Sequence, residues 1–108
     1  MLNEYKNATQ AICEKKGWDK ATVEQVWLLL SEEFGELASS IRRHSNQYKD
    51  NKKIKIEDEM GDVFSYLFQL AYMLKIDLDN MWKNNVNKAY KKKYIKHVVM
   101  KEVISEIK

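Results

Sequence analysis

The sequence predicts an all-α fold, an antiparallel bundle of about four to five helices. Two observations carry the helical reading. The chain has no proline and only three glycines in 108 residues, so the punctuation that closes hairpins is almost missing. Its long segments are rich in Leu, Lys, Glu, Met and Ala and repeat their apolar residues every three to four positions.

The first helix is expected from Leu2 to Lys16, where Gly17 after a lysine pair is a terminator. Thr22 and Gln25 then form a capping box ahead of Val23, Val26, Trp27 and Leu30, so a second helix should open there and continue to about His44. "SNQYKDNKKIK" has no apolar period and is expected to be a loop. A third helix should start near Ile56, with the stripe Ile56, Met60, Val63, Leu67, Leu70 and Leu74. Asp77 can cap a fourth helix through Met81 and Val86, which carries a lysine cluster. The tail "HVVMKEVISEIK" fits a short amphipathic helix, with strand as the lesser reading.

The length suits one domain, residues 1–108, and neither a repeat nor a low-complexity linker suggests a boundary. Hydrophobic residues at 44% with charged residues at 32%, mixed in sign, argue for a globular rather than a disordered chain. The net charge of +3 is too mild to demand a nucleic-acid partner. The late lysines of "NKAYKKKYIKH" are by default a solvated face. Cys13 is the single cysteine, so no internal disulfide can form. "MLNEYKNATQ" lacks the apolar core of a signal peptide, and no apolar run is long enough to span a bilayer. A reducing, cytoplasmic setting without a membrane partner is the expectation.

The informative anomaly is Glu33. At 100° per residue Val26, Leu30, Leu37 and Ile41 share one stripe of the second helix, and Glu33 falls inside it, with Glu36 at its edge. The third helix repeats the pattern, with Glu59 and then Asp62 at the margin of its own apolar stripe. Residues three apart share a face, so the two helices side by side could converge four carboxylates. Burying such charges uncompensated is costly, whereas a hard divalent cation satisfies them through oxygen. Oxygen-only ligation favours Mg²⁺ or Mn²⁺, and magnesium often completes its shell with water and substrate phosphates. The alternative is a wet rim of surface acids, since acidic pairs three apart also arise by chance among 16 acidic residues. A di-iron bundle is disfavoured, because neither His44 nor His97 stands at a Glu-x-x-His spacing.

"SEEFGELASSIRR" followed by "EDEMGDVFSYLFQLAYMLKIDL" resembles the MazG-type all-α nucleoside triphosphate pyrophosphohydrolases, of the MazG-like and dUTPase-dCTPase-like superfamily. The signature E-E-x-x-E, a spacer, then E-x-x-D is carried here by Glu32, Glu33, Glu36, Glu59 and Asp62. "GEL", "GD", the "GW" ahead of the second helix and "IDL" after the third match as well, so the resemblance spans roughly Gly17 to Lys92. It implies a bundle completed by a second subunit, as a homodimer or homotetramer, and magnesium held by the acids. The implied reaction is hydrolysis of an NTP or dNTP between the α and β phosphates to a nucleoside monophosphate and pyrophosphate.

Carried over residue by residue, Glu33, Glu36, Glu59 and Asp62 match metal-ligand positions. Glu32 matches the leading acid, to which an outer-shell or water-orienting role is assigned, and Glu32 and Glu33 are the catalytic candidates. Trp18 aligns with a tryptophan often found ahead of the first acidic helix in relatives, where aromatics line the base pocket, but a staple at the helix entry is the favoured reading. Lys88 and Lys91 lie where the family has basic or amide residues reaching phosphate, but the following proline is missing and a solvated lysine face explains them too. A phosphoribosyl-ATP pyrophosphohydrolase-like enzyme shares the acidic logic. From a different class, a non-catalytic helical module binding nucleic acid or a protein partner would leave the acids structural. The five intact acids favour the enzyme over a nucleic-acid partner.

Overall fold

The computed structural model describes residues 1–45 and 53–91, and they form four helices with no strand among the described residues. Helix α1 is Leu2–Lys16, a 3₁₀ turn follows at Trp18–Lys20, α2 is Val23–Ser45, α3 is Lys53–Met73 and α4 is Leu78–Lys91. The expected tail helix, and Lys92 and Lys93 of the lysine cluster, lie outside the described residues.

The helix ends follow the local chemistry of the sequence. Gly17 closes α1 in the left-handed region at φ 76°, its N–H directed to the carbonyls of Cys13 and Glu14. The capping box forms as expected: the Thr22 N–H donates to Gln25 Oε1 at 2.9 Å, and the Gln25 N–H donates to Thr22 Oγ1 at 3.1 Å. Asp77 Oδ1 accepts from the Asn80 N–H at 3.1 Å at the start of α4.

Two boundaries differ from expectation. α3 begins at Lys53 rather than near Ile56. No proline or glycine stands between the two positions, and the Lys55–Glu59 pair at i,i+4 supports the extra turn. At its other end α3 stops at Met73, before Leu74. There the Ile76 N–H donates to the Ala71 carbonyl and the Lys75 N–H to the Tyr72 carbonyl, a Schellman arrangement in which Lys75 takes the left-handed position at φ 57°. The Lys6 ammonium secures the same turn by donating to the Ile76 carbonyl at 2.6 Å.

The chain divides into two compact units, Met1–Ile76 and a second from Asp77 onward. In the first, α3 packs against both α1 and α2, and α1 packs on the 3₁₀ turn. Val26 and Leu30 are fully buried, with Cys13, Val63 and Ala71 beside them in the core. The inward face of α3 also takes in Glu59 and Gln69, whereas Met60, Phe64, Leu67 and Leu74, apolar residues at its heptad-like spacing, are exposed. On α2 the burial is likewise rotated from the expected stripe: Ser40 is buried and Ile41 exposed. Trp27 and Phe34 are exposed too, so 27, 34 and 41 form an uncovered apolar line. In the second unit, α4 buries Leu78 and exposes Met81 and Trp82.

Candidate functional site

Glu33 is held by the best-buried part of the fold. Val26 and Leu30 anchor α2 with no exposed surface, and Glu33 follows less than one turn later on the same side. α3 answers with Glu59, itself 7% exposed, and with Asp62 one turn on. One carboxylate oxygen from each of Glu33, Glu59 and Asp62 lies within 4.8 Å of the other two. Asp62 is exposed, so the cluster is closed at Glu59 and open to solvent at Asp62.

Glu33 is the strained member. Its Oε2 is buried and has no hydrogen-bond partner among the described residues. Burial, a hydrogen bond to Glu36 and the charges of Glu36, Asp62 and Glu59 push its carboxyl up to about 7. Three convergent carboxylates with no nitrogen or sulfur ligand in the group, one of them carrying a buried oxygen without a partner among the described residues, fit a hard divalent cation.

Of the expected ligands, Glu36 stands outside the group of three. It is exposed and touches the cluster through Glu33. Glu32 is exposed on the solvent side, and its charge still acts on Tyr66. The structure also adds a cation that the motif did not indicate. Lys55 Nζ lies 3.2 Å from Glu59 Oε1, and that carboxylate, with help from Glu36 and Asp58, raises the pKa of the ammonium.

Next to the carboxylates is an open-sided cavity of about 640 Å³ bordered by residues of α1, the 3₁₀ turn, α2 and α3. Glu33 and Asp62 form one side of it, and Ile12, Trp18, Leu29 and Tyr66 supply apolar and aromatic surface. Trp18 thus contributes to a wall of the cavity, with the Lys16 ammonium 5.6 Å from its ring. Thr9, Cys13, Ser65 and Gln69 give the lining its neutral polar groups. Gln69 is buried and its Nε2 donates to the Trp18 carbonyl at 3.4 Å, a long bond. The Tyr66 hydroxyl stays protonated, because burial and the charges of Glu33, Asp62 and Glu32 raise its pKa. Burial and the nearby Cys13 push the Tyr72 phenol up to about 12, and its hydroxyl has no hydrogen-bond partner among the described residues.

Sequence reasoning missed Lys55 and Gln69 as parts of this site. Both were within its reach, because they stand four residues before Glu59 and seven after Asp62, on the same face of α3. Thr9 and Cys13 carried no such signal, since only the packing of α1 on α3 brings them to the cavity. Lys88 and Lys91 are exposed on α4, in the second unit.

A family model described as the MazG nucleotide pyrophosphohydrolase domain matches residues 21–99. No curated protein and no solved structure matches the chain.

Proposed function

The chain belongs to the MazG nucleotide pyrophosphohydrolase family, and from that premise we propose that it hydrolyses a nucleoside triphosphate between the α and β phosphates, with Mg²⁺ or Mn²⁺ as its metal. The observation that carries the proposal is the convergence of Glu33, Glu59 and Asp62 within 4.8 Å at the side of a nucleoside-sized cavity. Glu33, Glu59 and Asp62 would hold the ion, with Glu36 closing the shell from beside Glu33. Bound there, the ion would neutralise phosphate charge and polarise the phosphorus under attack.

The protein's own part is to bind, orient and accept a proton. The aromatic and apolar side of the cavity takes the nucleoside, with Trp18 and Tyr66 as the flat surfaces on which a base can stack. The phosphates would then lie toward the exposed, Asp62 side of the cluster, where the ion held by the carboxylates would offset their charge. A water oxygen bonds to phosphorus as the α–β bridge breaks, and a carboxylate takes the water proton; Glu32 is assigned that role. No covalent nucleophile is required. Lys88 and Lys91 are further candidates for phosphate contacts.

The reading extends to assembly. Trp27, Phe34 and Ile41 on α2 and Met60, Phe64 and Leu67 on α3 are each more than two-fifths exposed, which is more uncovered apolar surface than a small monomer normally carries. Tyr66 and Phe68 on α3 are partly buried. A homodimer or homotetramer built on these stripes is proposed, in a cytoplasmic setting. Among the described residues no helix is long and apolar enough to cross a membrane.

The test is a panel of canonical and deoxy triphosphates assayed with Mg²⁺ for pyrophosphate and monophosphate. Stoichiometric release of both supports the proposal. Release of orthophosphate, or no turnover of any triphosphate with either ion, rejects it.

A further inference from the structure

Gln69 puts a buried amide into the wall of the cavity, the residue being 6% exposed. Its side chain makes one hydrogen bond among the described residues, from Nε2 to the Trp18 carbonyl at 3.4 Å. That bond decides which way the amide faces, because reversing it would set Oε1 against the carbonyl oxygen, two acceptors with no proton between them. Oε1 and the second Nε2 hydrogen are left for whatever occupies the cavity. A buried amide calls for such a partner. Thr9, across the cavity on α1, has its hydroxyl proton on the Tyr5 carbonyl at 2.8 Å, so what it offers is a further acceptor. Of the other neutral polar groups in the lining, the Cys13 thiol is a weak donor and Ser65 is exposed.

Gln69 stands one turn beyond Tyr66 on α3, and a rise of about 1.5 Å per residue sets it about 10 Å from Asp62. A nucleoside whose phosphates lie at the carboxylates reaches that far with the outer edge of its base. We propose that Gln69 reads that edge by accepting from an exocyclic amino group, so that the substrate is a triphosphate of cytosine or adenine in preference to the keto counterpart, uracil or hypoxanthine. The inference rests on the pyrophosphohydrolase reading and names the class of base for the same site. In cytosine and adenine the amino group stands beside a ring nitrogen that accepts. Oε1 takes an amino hydrogen and the second Nε2 hydrogen goes to the ring nitrogen, while the first stays on Trp18. The keto counterparts reverse both groups, placing a carbonyl oxygen against Oε1 and a ring N–H against the amide hydrogen. Turning the amide over to suit them would break its bond to Trp18 and oppose two oxygens there.

The experiment measures binding of non-hydrolysable α,β-imido triphosphates by titration calorimetry in Ca²⁺. The probes form two pairs that exchange amino for keto, deoxycytidine against deoxyuridine and deoxyadenosine against deoxyinosine. In every pair it binds, the parent should hold the amino member at least about tenfold more tightly, the scale of one buried polar group left unpaired. Gln69→Leu should weaken the amino members about tenfold, leave the keto members within about twofold and so erase the preference. An amide that only supports the turn would weaken all four alike. A parent without preference, a parent that prefers the keto member, a preference that survives in Gln69→Leu, or equal weakening of both members overturns the inference and leaves the pyrophosphohydrolase reading standing. Should Gln69→Leu lose its α-helical circular dichroism, the preference of the parent decides the inference by itself. A parent that binds none of the four with the ion overturns the pyrophosphohydrolase reading, and the inference falls with it.

Discussion

Glu33 on α2 and Glu59 on α3 bring carboxylate oxygens within 4.8 Å of each other across the helix interface, and Glu33 Oε2 has no hydrogen-bond partner among the described residues. Burial of the Glu33 carboxyl, its hydrogen bond with Glu36 and the charges of Glu36, Asp62 and Glu59 together favour the protonated form of Glu33. This relationship makes the site sensitive to pH and to metal.

The Glu33 carboxyl titrates near 4.5 in an unfolded chain and at about 7 in the folded one. Between those values the folded state holds more protons, so in chelator the stability should fall as pH rises from about 4.5 through about 7. Divalent ions should cancel the fall, because they bind the ionised form, and their apparent affinity should climb over the same range. Thermal melts in Mg²⁺, Ca²⁺ and chelator across this pH range check it. A metal-free stability that rises with pH there would contradict the assignment.

Glu33→Gln removes the charge and leaves the side-chain volume. At pH 8 without metal the variant should melt at or above the parent temperature, since the penalty of an ionised buried carboxylate is gone. Turnover should fall by several orders of magnitude, because the ion loses a ligand. Loss of fold together with loss of activity would point to a structural carboxylate instead.

Glu59→Gln combined with Asp62→Asn should abolish the rise in melting temperature that Mg²⁺ or Ca²⁺ produces in the parent, since an ion that binds only the folded cluster stabilises by mass action. Equal shifts in parent and double variant would show that the ion acts elsewhere.

Lys75 occupies a left-handed position at φ 57°, which an L-residue adopts at a cost and glycine does not. Lys75→Gly should therefore raise stability by up to about 1 kcal/mol in chemical denaturation, the greater unfolded-state entropy of glycine offsetting part of the relief. A destabilised variant would mean that the Lys75 side chain contributes more than its backbone costs.

Trp27→Glu with Phe34→Glu places charge on the exposed stripe of α2, away from the buried Val26 and Leu30. If the stripe is an interface, light scattering should report a smaller particle than the parent, with α-helical circular dichroism retained. A monomeric parent at micromolar concentration would remove the basis for an assembly.

Local chemistry decided the helices, and local chemistry is legible in one chain. Gly17 stops α1, Thr22 and Gln25 open α2, and Asp77 starts α4 because each effect works within a few residues of backbone. The acidic motif could be read for the same reason: Glu33 with Glu36 and Glu59 with Asp62 share helix faces whatever the rest of the chain does. Which of these carboxylates meet was a matter of helix rotation and packing. Fixing Val26 and Leu30 inside turns Glu33 inward and leaves Glu36 and Ile41 outside, and the facing rotation of α3 buries Glu59 and Gln69 while exposing Met60, Phe64 and Leu67. An apolar stripe gives a helix a face but does not say whether this chain or another copy covers it. The cavity belongs to tertiary structure entirely. Cys13 and Trp18 meet Tyr66 and Gln69 only because α1 and the 3₁₀ turn come to lie on α3, contacts between residues some fifty positions apart that no local pattern encodes.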